Sequence, residues 1–295
     1  MNTNKTLPPR PSRRDTARAH APRPRPVQRR ASSRRVVIGL FALALLALAA
    51  GLLAGRCAGT PHAAAPAAYV SPYDWTGLER NGDRLAYYED GALRSDLGVD
   101  VSSHQGAIDW PAVAADGVDF AIVRAGNRGY TEGALYADER FAENVDGAKA
   151  AGLATGVYFF SQAVTPDEAR EEADFVLGLL AGRPLDLPVA FDHEPVSDNA
   201  GRANRLTGPE LAAYARAFCE RIEQAGYDTL VYGNKRDIAR FGGDDLDGRP
   251  VWFAEYDMAV PTGQFDFVMW QYTSAGTVAG ISTRVDLNIR FAAAG

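Results

Sequence analysis

Two carboxylates stand two positions apart in the stretch LPVAFDHEP, at Asp192 and Glu194, where an apolar run ends. In an extended chain, side chains at i and i+2 point to the same side, so both carboxylates are expected to face one way. Like charges this close raise the pKa of one group, and a raised pKa suits a general acid. The pattern predicts acid–base chemistry, and a solvated strand end with two acidic residues is the alternative.

The elements that would position these carboxylates alternate along the chain. Helical patterns cover residues 136–152, 165–182 and 207–226, each between two apolar runs. Eight runs have the composition of strands, at 98–101, 119–125, 155–161, 187–192, 229–234, 250–256, 265–272 and 285–291. Strands alternating with helices predict a parallel sheet. Eight of them predict an α/β fold, an irregular TIM-like (β/α) barrel whose last third has no room for long helices.

In such a barrel the C-terminal ends of the strands form one rim, and active sites lie there. Acidic, amide and aromatic residues fall late in the predicted strands or in the last of them, at Asp100, Asp192, Glu194, Tyr232, Glu255, Tyr256, Trp270, Gln271 and Asp286. Aromatic faces can stack on sugar rings while carboxylates bind hydroxyl groups. The rim therefore indicates a carbohydrate site.

The charge of the chain is divided sharply at its N-terminal side. Residues 1–56 carry 12 Lys and Arg and only one acidic residue, whereas residues 57–295 carry 19 basic and 36 acidic residues. A body this acidic is a poor match for phosphates, so we expect no nucleic-acid partner. Residues 1–35, rich in Arg, Pro and Ala, are predicted to form a disordered basic tail in the cytoplasm.

The next segment predicts a connection to the membrane. Residues 36–55 contain no charge, and twenty such residues are enough for a transmembrane helix. The basic flank orients the N-terminus to the cytoplasm and the body outside the cell membrane. A signal peptide that is cleaved before secretion is the alternative, although apolar signal regions are typically about 7 to 15 residues. Residues 56–97 are interpreted as a stalk and a lead-in with turn signals at Asn81-Gly82 and Asp90-Gly91.

Cysteine and histidine usage gives no indication of a metal or another cofactor. The two cysteines are Cys57, beside the membrane segment, and Cys219, which is expected to be a buried apolar residue in a helix. The four histidines, at positions 20, 62, 104 and 193, form no cluster with metal-ligand spacing. We therefore expect chemistry without a metal or cofactor.

Four stretches closely resemble glycoside hydrolase family 25, the bacterial and phage lysozymes that cut the muramic-acid linkage of peptidoglycan. They are GVDVSSHQGAIDW at 98–110, AGLATGVYFFSQA at 151–163, FDHEP at 191–195 and MWQYTSAGTVAGISTRVDLN at 269–288. The resemblance implies a catalytic domain over 98–295, built from five βα units followed by three strands. It also implies that peptidoglycan glycan strands are the partner, and we expect the protein to be monomeric.

The resemblance implies roles for individual residues. Glu194 matches the general acid/base, and Asp192 matches the carboxylate that orients the N-acetyl group of the substrate or stabilises charge. Asp100 and Asp286 match two further aspartates at the rim. Positions that shape the sugar cleft in the family are matched by Tyr158, Tyr232, Trp252 and Gln271.

The chain departs from the family pattern at two places. His193 stands between the two carboxylates, where the family often has an aliphatic or aromatic residue, and alternation along the strand points it away from the cleft. RAGNRGYTEG, at 124–133, stands where the family commonly has a Lys-containing stretch. Glu132 is therefore not counted as catalytic, while Arg124 and Arg128 are candidates for contact with the glycan or its peptide.

The expected mechanism has Glu194 protonated beside an ionised Asp192 and donating its proton to the leaving oxygen. Either the 2-acetamido group of the substrate or a water molecule would then attack, and the residues do not decide between these routes. Two other functions stay open. One is a non-catalytic peptidoglycan-binding module, and the other is hydrolysis of another N-acetylated glycan such as chitin.

Overall fold

A computed structural model of the chain describes residues 69–198, 200–242 and 246–292. The predicted basic tail at 1–35, the predicted transmembrane helix at 36–55 and Cys57 lie outside these residues. Within the described ranges, no helix has both the length and the apolar character needed to cross a membrane.

The lead-in segment forms a small antiparallel sheet. A 3-10 turn at Trp75–Gly77 precedes its strands, which are β1 (Leu78–Asn81), β2 (Arg84–Glu89) and β3 (Ala92–Leu93). The chain turns at both predicted places, at residues 82–83 between β1 and β2 and at residues 90–91 between β2 and β3. The turn between β2 and β3 has positive φ at Asp90 (50°) and at Gly91 (76°), the conformation that a tight two-residue hairpin turn requires.

Eight strands close into a barrel, as predicted. They are β4 (Ser95–Val101), β5 (Phe120–Arg128), β7 (Ala154–Phe160), β8 (Val189–Asp192), β9 (Thr229–Asn234), β10 (Val251–Ala254), β11 (Met269–Gly276) and β12 (Val285–Phe291), while β6 (Leu135–Ala137) extends the sheet beside β5. Neighbours from β4 to β11 run parallel, but β12 is antiparallel to both β11 and β4. The short connection at 277–284 explains this difference, because parallel neighbours need a crossover of a dozen or more residues.

Five helices follow the first five barrel strands, so the barrel has five βα units and then three strands. The helices are α1 (Trp110–Ala115), α2 (Phe141–Ala150), α3 (Pro166–Leu180), α4 (Gly208–Glu223) and α5 (Lys235–Phe241). α2 begins later than the predicted 136–152 because β6 takes up its first residues. α3 begins where the Thr-Pro signal predicts, since the Thr165 hydroxyl accepts a hydrogen bond from the Glu168 amide at 3.1 Å. Cys219 is buried on α4, as predicted.

The interior of the barrel is filled by alternate residues of the strands. A central cluster consists of Phe120, Ile122, Leu187, Ala190, Leu230, Tyr232, Trp252, Ala254 and Met269. Gly98 leaves room for this packing, since a Cβ atom there would lie 2.2 Å from the Phe120 ring. The intervening residues of the strands face the helices and belong to the second, larger core. This alternation decides which residues reach the rim.

Aromatic residues of the lead-in segment cover the end of the barrel opposite that rim. Tyr73 stacks on Phe291 with ring centroids 4.3 Å apart, and its hydroxyl donates to the Phe267 carbonyl at 2.8 Å. Tyr87 is buried and packs edge-on against Phe291 at 5.5 Å. Trp75 stacks on Phe267. The described part of the lead-in is therefore packed into the same core as the barrel.

Candidate active site

One pocket of about 230 Å³ opens at the C-terminal ends of the parallel strands. All eight candidate residues line it, together with three others: Asp100, Arg124, Tyr158, Phe160, Asp192, Glu194, Tyr232, Trp252, Tyr256, Gln271 and Asp286. Two residues expected at the rim do not line it. Trp270 is buried, and its indole N–H donates a hydrogen bond to the backbone carbonyl of Glu255. The Glu255 carboxylate accepts hydrogen bonds from the amide and the hydroxyl of Thr262.

The pocket is the outermost layer of the barrel interior. A strand alternates its side chains with a period of two, so the residue two positions after an interior apolar residue also faces inward. The interior residue and the pocket residue that follows it are Ile122 and Arg124, Ala190 and Asp192, Leu230 and Tyr232, and Met269 and Gln271. The same alternation that fills the core therefore delivers polar side chains to the rim.

Asp286 reaches the pocket by a different route. It lies near the beginning of β12, and the beginning of a parallel strand would be at the opposite end of the barrel. Because β12 is antiparallel, its beginning lies at the rim, and Asp286 is the direct partner of Asp100 in the register between β12 and β4. The reversal of one strand brings the fourth carboxylate to the site.

A chain of hydrogen bonds fixes Asp100. Its Oδ2 accepts from the Gln271 side-chain amide at 2.8 Å. The side-chain oxygen of Gln271, Oε1, in turn accepts hydrogen bonds from the hydroxyls of Tyr232, at 2.8 Å, and of Tyr256, at 2.7 Å. With both tyrosine hydroxyls donating, the amide group of Gln271 is oriented so that its N–H groups face Asp100. Gln271 therefore connects the aromatic side of the pocket to the carboxylates.

Asn288 is a site residue that the sequence analysis missed. Its side-chain amide donates to Asp100 Oδ2 at 2.7 Å, and its carbonyl oxygen accepts from the Trp252 indole at 2.8 Å. Asn288 stands two positions after Asp286 on the same strand. The alternation rule that was applied to Asp192 and Glu194 would have found it.

The four carboxyl groups of the pocket all have raised pKa values, and burial is the largest cause for each. Burial raises the pKa of Asp100 to about 6, although the amides of Asn288 and Gln271 oppose the shift. Burial and then the charge of Asp100 raise the pKa of Asp286 to about 8. At neutral pH the carboxyl group of Asp286 therefore retains its proton. Among the described residues, no group of three or more His, Cys, Asp or Glu side chains could hold a metal ion.

Asp192 and Glu194 both line the pocket, as the alternation predicted. Burial, and next the charge of Glu194, raise the pKa of Asp192 well above its usual range. Burial also raises the pKa of the half-buried Glu194. Asp192 ends the strand and is more deeply buried, with Oδ1 lacking a hydrogen-bond partner in the described part of the protein. Both groups therefore hold their protons more tightly than exposed carboxyl groups do.

His193 points away from the pocket, as alternation along the strand predicted. It is buried, and its Nδ1 lies 3.2 Å from the Ser161 carbonyl oxygen. Burial lowers the pKa of His193 to about 4, so the ring is neutral over the pH range in which the carboxyl groups titrate. His193 is therefore part of the support behind the two carboxylates.

The two arginines of RAGNRGYTEG have different roles. Arg124 lines the pocket and donates from Nε to Asp138 at 2.8 Å. The expectation that Arg128 could contact the glycan is wrong, because its guanidinium is buried and donates to Glu172, Glu171 and two backbone carbonyls. Glu132 lies outside the pocket, where its carboxylate accepts from the Tyr136 hydroxyl.

Comparison with known proteins identifies relatives of this chain. Residues 99–281 match the model of Glycosyl hydrolases family 25. The chain is 31% identical to the autolytic lysozyme of Clostridium acetobutylicum over 195 residues, which are 65% of this chain and 54% of that protein. It is 28% identical to Lysozyme M1 of Streptomyces globisporus over 203 residues, which are 65% of this chain and 66% of that protein. It thus spans about half to two thirds of the length of these relatives.

Solved structures with the same fold are similar to the barrel. The bacterial lysozyme from Streptomyces coelicolor aligns with a TM-score of 0.56 and 26% identity, covering 67% of this chain and 93% of that chain. The modular autolysin LytC from Streptococcus pneumoniae, solved in complex with a synthetic peptidoglycan ligand, aligns with a TM-score of 0.60 and 23% identity. That alignment covers 69% of this chain and 51% of LytC.

Proposed function

Because this chain belongs to the glycosyl hydrolases family 25, we propose that it is a lysozyme acting on peptidoglycan. The bond it cleaves is the β-1,4 bond between N-acetylmuramic acid and N-acetylglucosamine. The observation that carries the proposal is the convergence of four carboxyl groups with Tyr158, Tyr232, Trp252 and Tyr256 in a single open pocket. The relatives named autolytic lysozyme and Lysozyme M1 support the choice of substrate.

Glu194 is the general acid in this proposal. Cleavage breaks the bond between the anomeric carbon and the bridging oxygen, and the leaving oxygen needs a proton as it departs. The raised pKa of Glu194 keeps more of this carboxyl protonated than an exposed glutamate would be at the same pH. The anomeric carbon finally receives its oxygen from water, either directly or after attack by the acetamido group of the substrate.

Asp192 is proposed to hold the acetamido group. Asp192 lines the pocket, so its carboxyl group lies where a bound sugar can contact it. A carboxylate at this position would accept from the amide N–H and orient the acetamido oxygen toward the anomeric carbon. Asp100, with a pKa of about 6, is then ionised at neutral pH beside the position where positive charge develops on the sugar ring, while Asp286, with a pKa of about 8, is a neutral neighbour that can donate a hydrogen bond.

A turbidity assay tests the proposed activity. Purified cell walls should lose turbidity when they are mixed with residues 69–295, and chitin should remain intact. Binding to walls without loss of turbidity would support a non-catalytic module instead. Hydrolysis of chitin at a rate similar to that of walls would support a hydrolase of N-acetylated glycans in general.

We also propose that the protein is held at the cell membrane with its barrel outside. The support is the uncharged run at 36–55 and the excess of Lys and Arg before it. Mass spectrometry of the mature protein should find the N-terminal region uncleaved. A mature chain that begins near Ala65 would instead indicate a cleaved signal peptide and secretion.

A further inference from the structure

Ser161 and Gln162, which follow β7, make hydrogen bonds to the segment that carries Asp192 and Glu194. The Ser161 amide donates to the Asp192 carbonyl at 2.7 Å, and the Ser161 carbonyl lies 3.2 Å from Nδ1 of His193. The Gln162 side-chain amide donates to the Glu194 carbonyl at 3.0 Å. Three successive residues, 192 to 194, are therefore each held by the pair Ser161–Gln162, which we call the brace.

The brace is itself fixed to helix α3 by Glu172. One carboxylate oxygen of Glu172 accepts from the Ser161 hydroxyl at 2.6 Å, and the other accepts from the Gln162 backbone amide at 3.3 Å. Arg128 donates to the same carboxylate at 2.8 Å, and both side chains are buried. Arg128 is held in turn by the backbone carbonyl of Gly133 at 2.6 Å. A buried ion pair therefore locks the brace to the outer layer of the barrel.

Gln162 has an unusual balance of hydrogen bonds. The residue is fully buried, and its side-chain carbonyl oxygen has no partner in the described ranges. A buried polar atom without a partner lowers stability, so packing alone does not explain a glutamine at this position. The hydrogen bond that its amide makes is the one to the Glu194 carbonyl. The side chain thus makes its polar contact to the residue that carries the acid.

We propose that Gln162 is a positioning residue for Glu194, held in place by Glu172 and Arg128. Its hydrogen bond fixes the backbone from which the Glu194 carboxyl reaches the glycosidic oxygen. A general acid has to lie within hydrogen-bond reach of that oxygen, and a misplacement of about 1 Å can cost on the order of 10²-fold in rate. This inference rests on the proposed function, because it assigns Glu194 as the acid.

The substitution Gln162→Met separates positioning from stability. Methionine has a similar length but lacks both the donor to Glu194 and the unpartnered oxygen, so the melting temperature should stay the same or rise. The kcat for soluble glycan strands should fall on the order of 10-fold to 10²-fold, whereas KM should change little. The matched control is Asn144→Leu on α2, which also removes a buried amide with an unpartnered polar atom but lies outside the pocket. It should leave kcat unchanged.

A second measurement makes the test independent of the substrate. The pKa of the Glu194 carboxyl, followed by NMR in the full chain, should differ between the wild type and Gln162→Met and be equal in Asn144→Leu. If Gln162→Met does not fold, Ser161→Ala takes its place, since it removes the hydroxyl contact to Glu172, and it should give a smaller change of the same kind.

The outcomes distinguish the two claims. A wild-type protein that cleaves no glycan would refute the proposed function, and the NMR comparison would still decide whether Gln162 positions Glu194. Unchanged kcat and an unchanged Glu194 pKa in Gln162→Met would overturn the positioning role. So would a loss of kcat that Asn144→Leu reproduces, because that result would indicate general loosening of the core.

Discussion

Asp286 and Asp100 are direct partners across the antiparallel strands β12 and β4, although 186 positions separate them in the chain. Both carboxyl groups line the same pocket. The charge of Asp100 is, after burial, the largest cause of the raised pKa of Asp286, which lies at about 8. Asp100, with a pKa of about 6, is ionised over the range in which Asp286 titrates.

The substitution Asp100→Asn should therefore lower the pKa of Asp286. It removes the neighbouring negative charge, while the asparagine oxygen can still accept from Gln271 and Asn288, so the local geometry is kept. Titration of the Asp286 carboxyl by NMR would measure the shift. A midpoint that stays at about 8 would mean that burial alone sets the value.

The substitution Asp286→Asn should raise stability in a way that depends on pH. The folded pKa of about 8 lies above the usual aspartate value, so the folded state binds more protons than the unfolded state between these two values. Stability contributed by the protonated carboxyl is thus lost as the pH rises from about 4 to about 8. The variant should melt at the same temperature as the wild type near the lower end and at a higher temperature above the upper end. A difference that is constant with pH would contradict this account.

The substitution Glu194→Gln should remove hydrolysis and leave the fold intact. The amide keeps the shape of the side chain but has no acidic proton, and general acid catalysis contributes on the order of 10²–10⁴-fold. Turbidity loss and circular dichroism would be measured side by side. Glu132→Gln is the matched control, because Glu132 lies outside the pocket and should be replaceable without effect on hydrolysis. Near-normal wall lysis by the Glu194 variant would refute its assignment as the acid.

Much of this site follows from the period of a strand. The sequence predicted the eight strands, because short apolar runs recur along the chain, and it predicted that Asp192 and Glu194 face one way, because side chains two positions apart in a strand share a side. It also predicted that His193 faces away. These features depend on local alternation, which can be read without knowing the neighbours of a strand.

Features that depend on distant contacts could not be predicted in this way. The sequence analysis placed Asp286 at the rim, but the reason it lies there is the reversal of β12, and the sequence shows only that the last connection is short. Arg128 forms a hydrogen bond with Glu172, which belongs to a helix that packs behind β5. Likewise, the unpartnered oxygen of Gln162 appears only once the packing around β7 is known.

The substitution Tyr87→Ala should destabilise the barrel from its far end. Tyr87 is 2% exposed and packs against Phe291, so truncation would leave a cavity beneath the barrel and cost about 3 kcal/mol of unfolding free energy. Urea denaturation would measure the loss. Tyr136→Ala is the control, because Tyr136 is 49% exposed and should change stability little. Equal stability of the two variants would show that the lead-in segment does not support the barrel.

Analysis of the reducing ends released from purified peptidoglycan tests the central claim most directly. The wild-type chain should release fragments that end in N-acetylmuramic acid, and Glu194→Gln should release none under the same conditions. Fragments that end in N-acetylglucosamine, or equal release by the variant, would contradict the assignment of this pocket as a muramidase site with Glu194 as its acid.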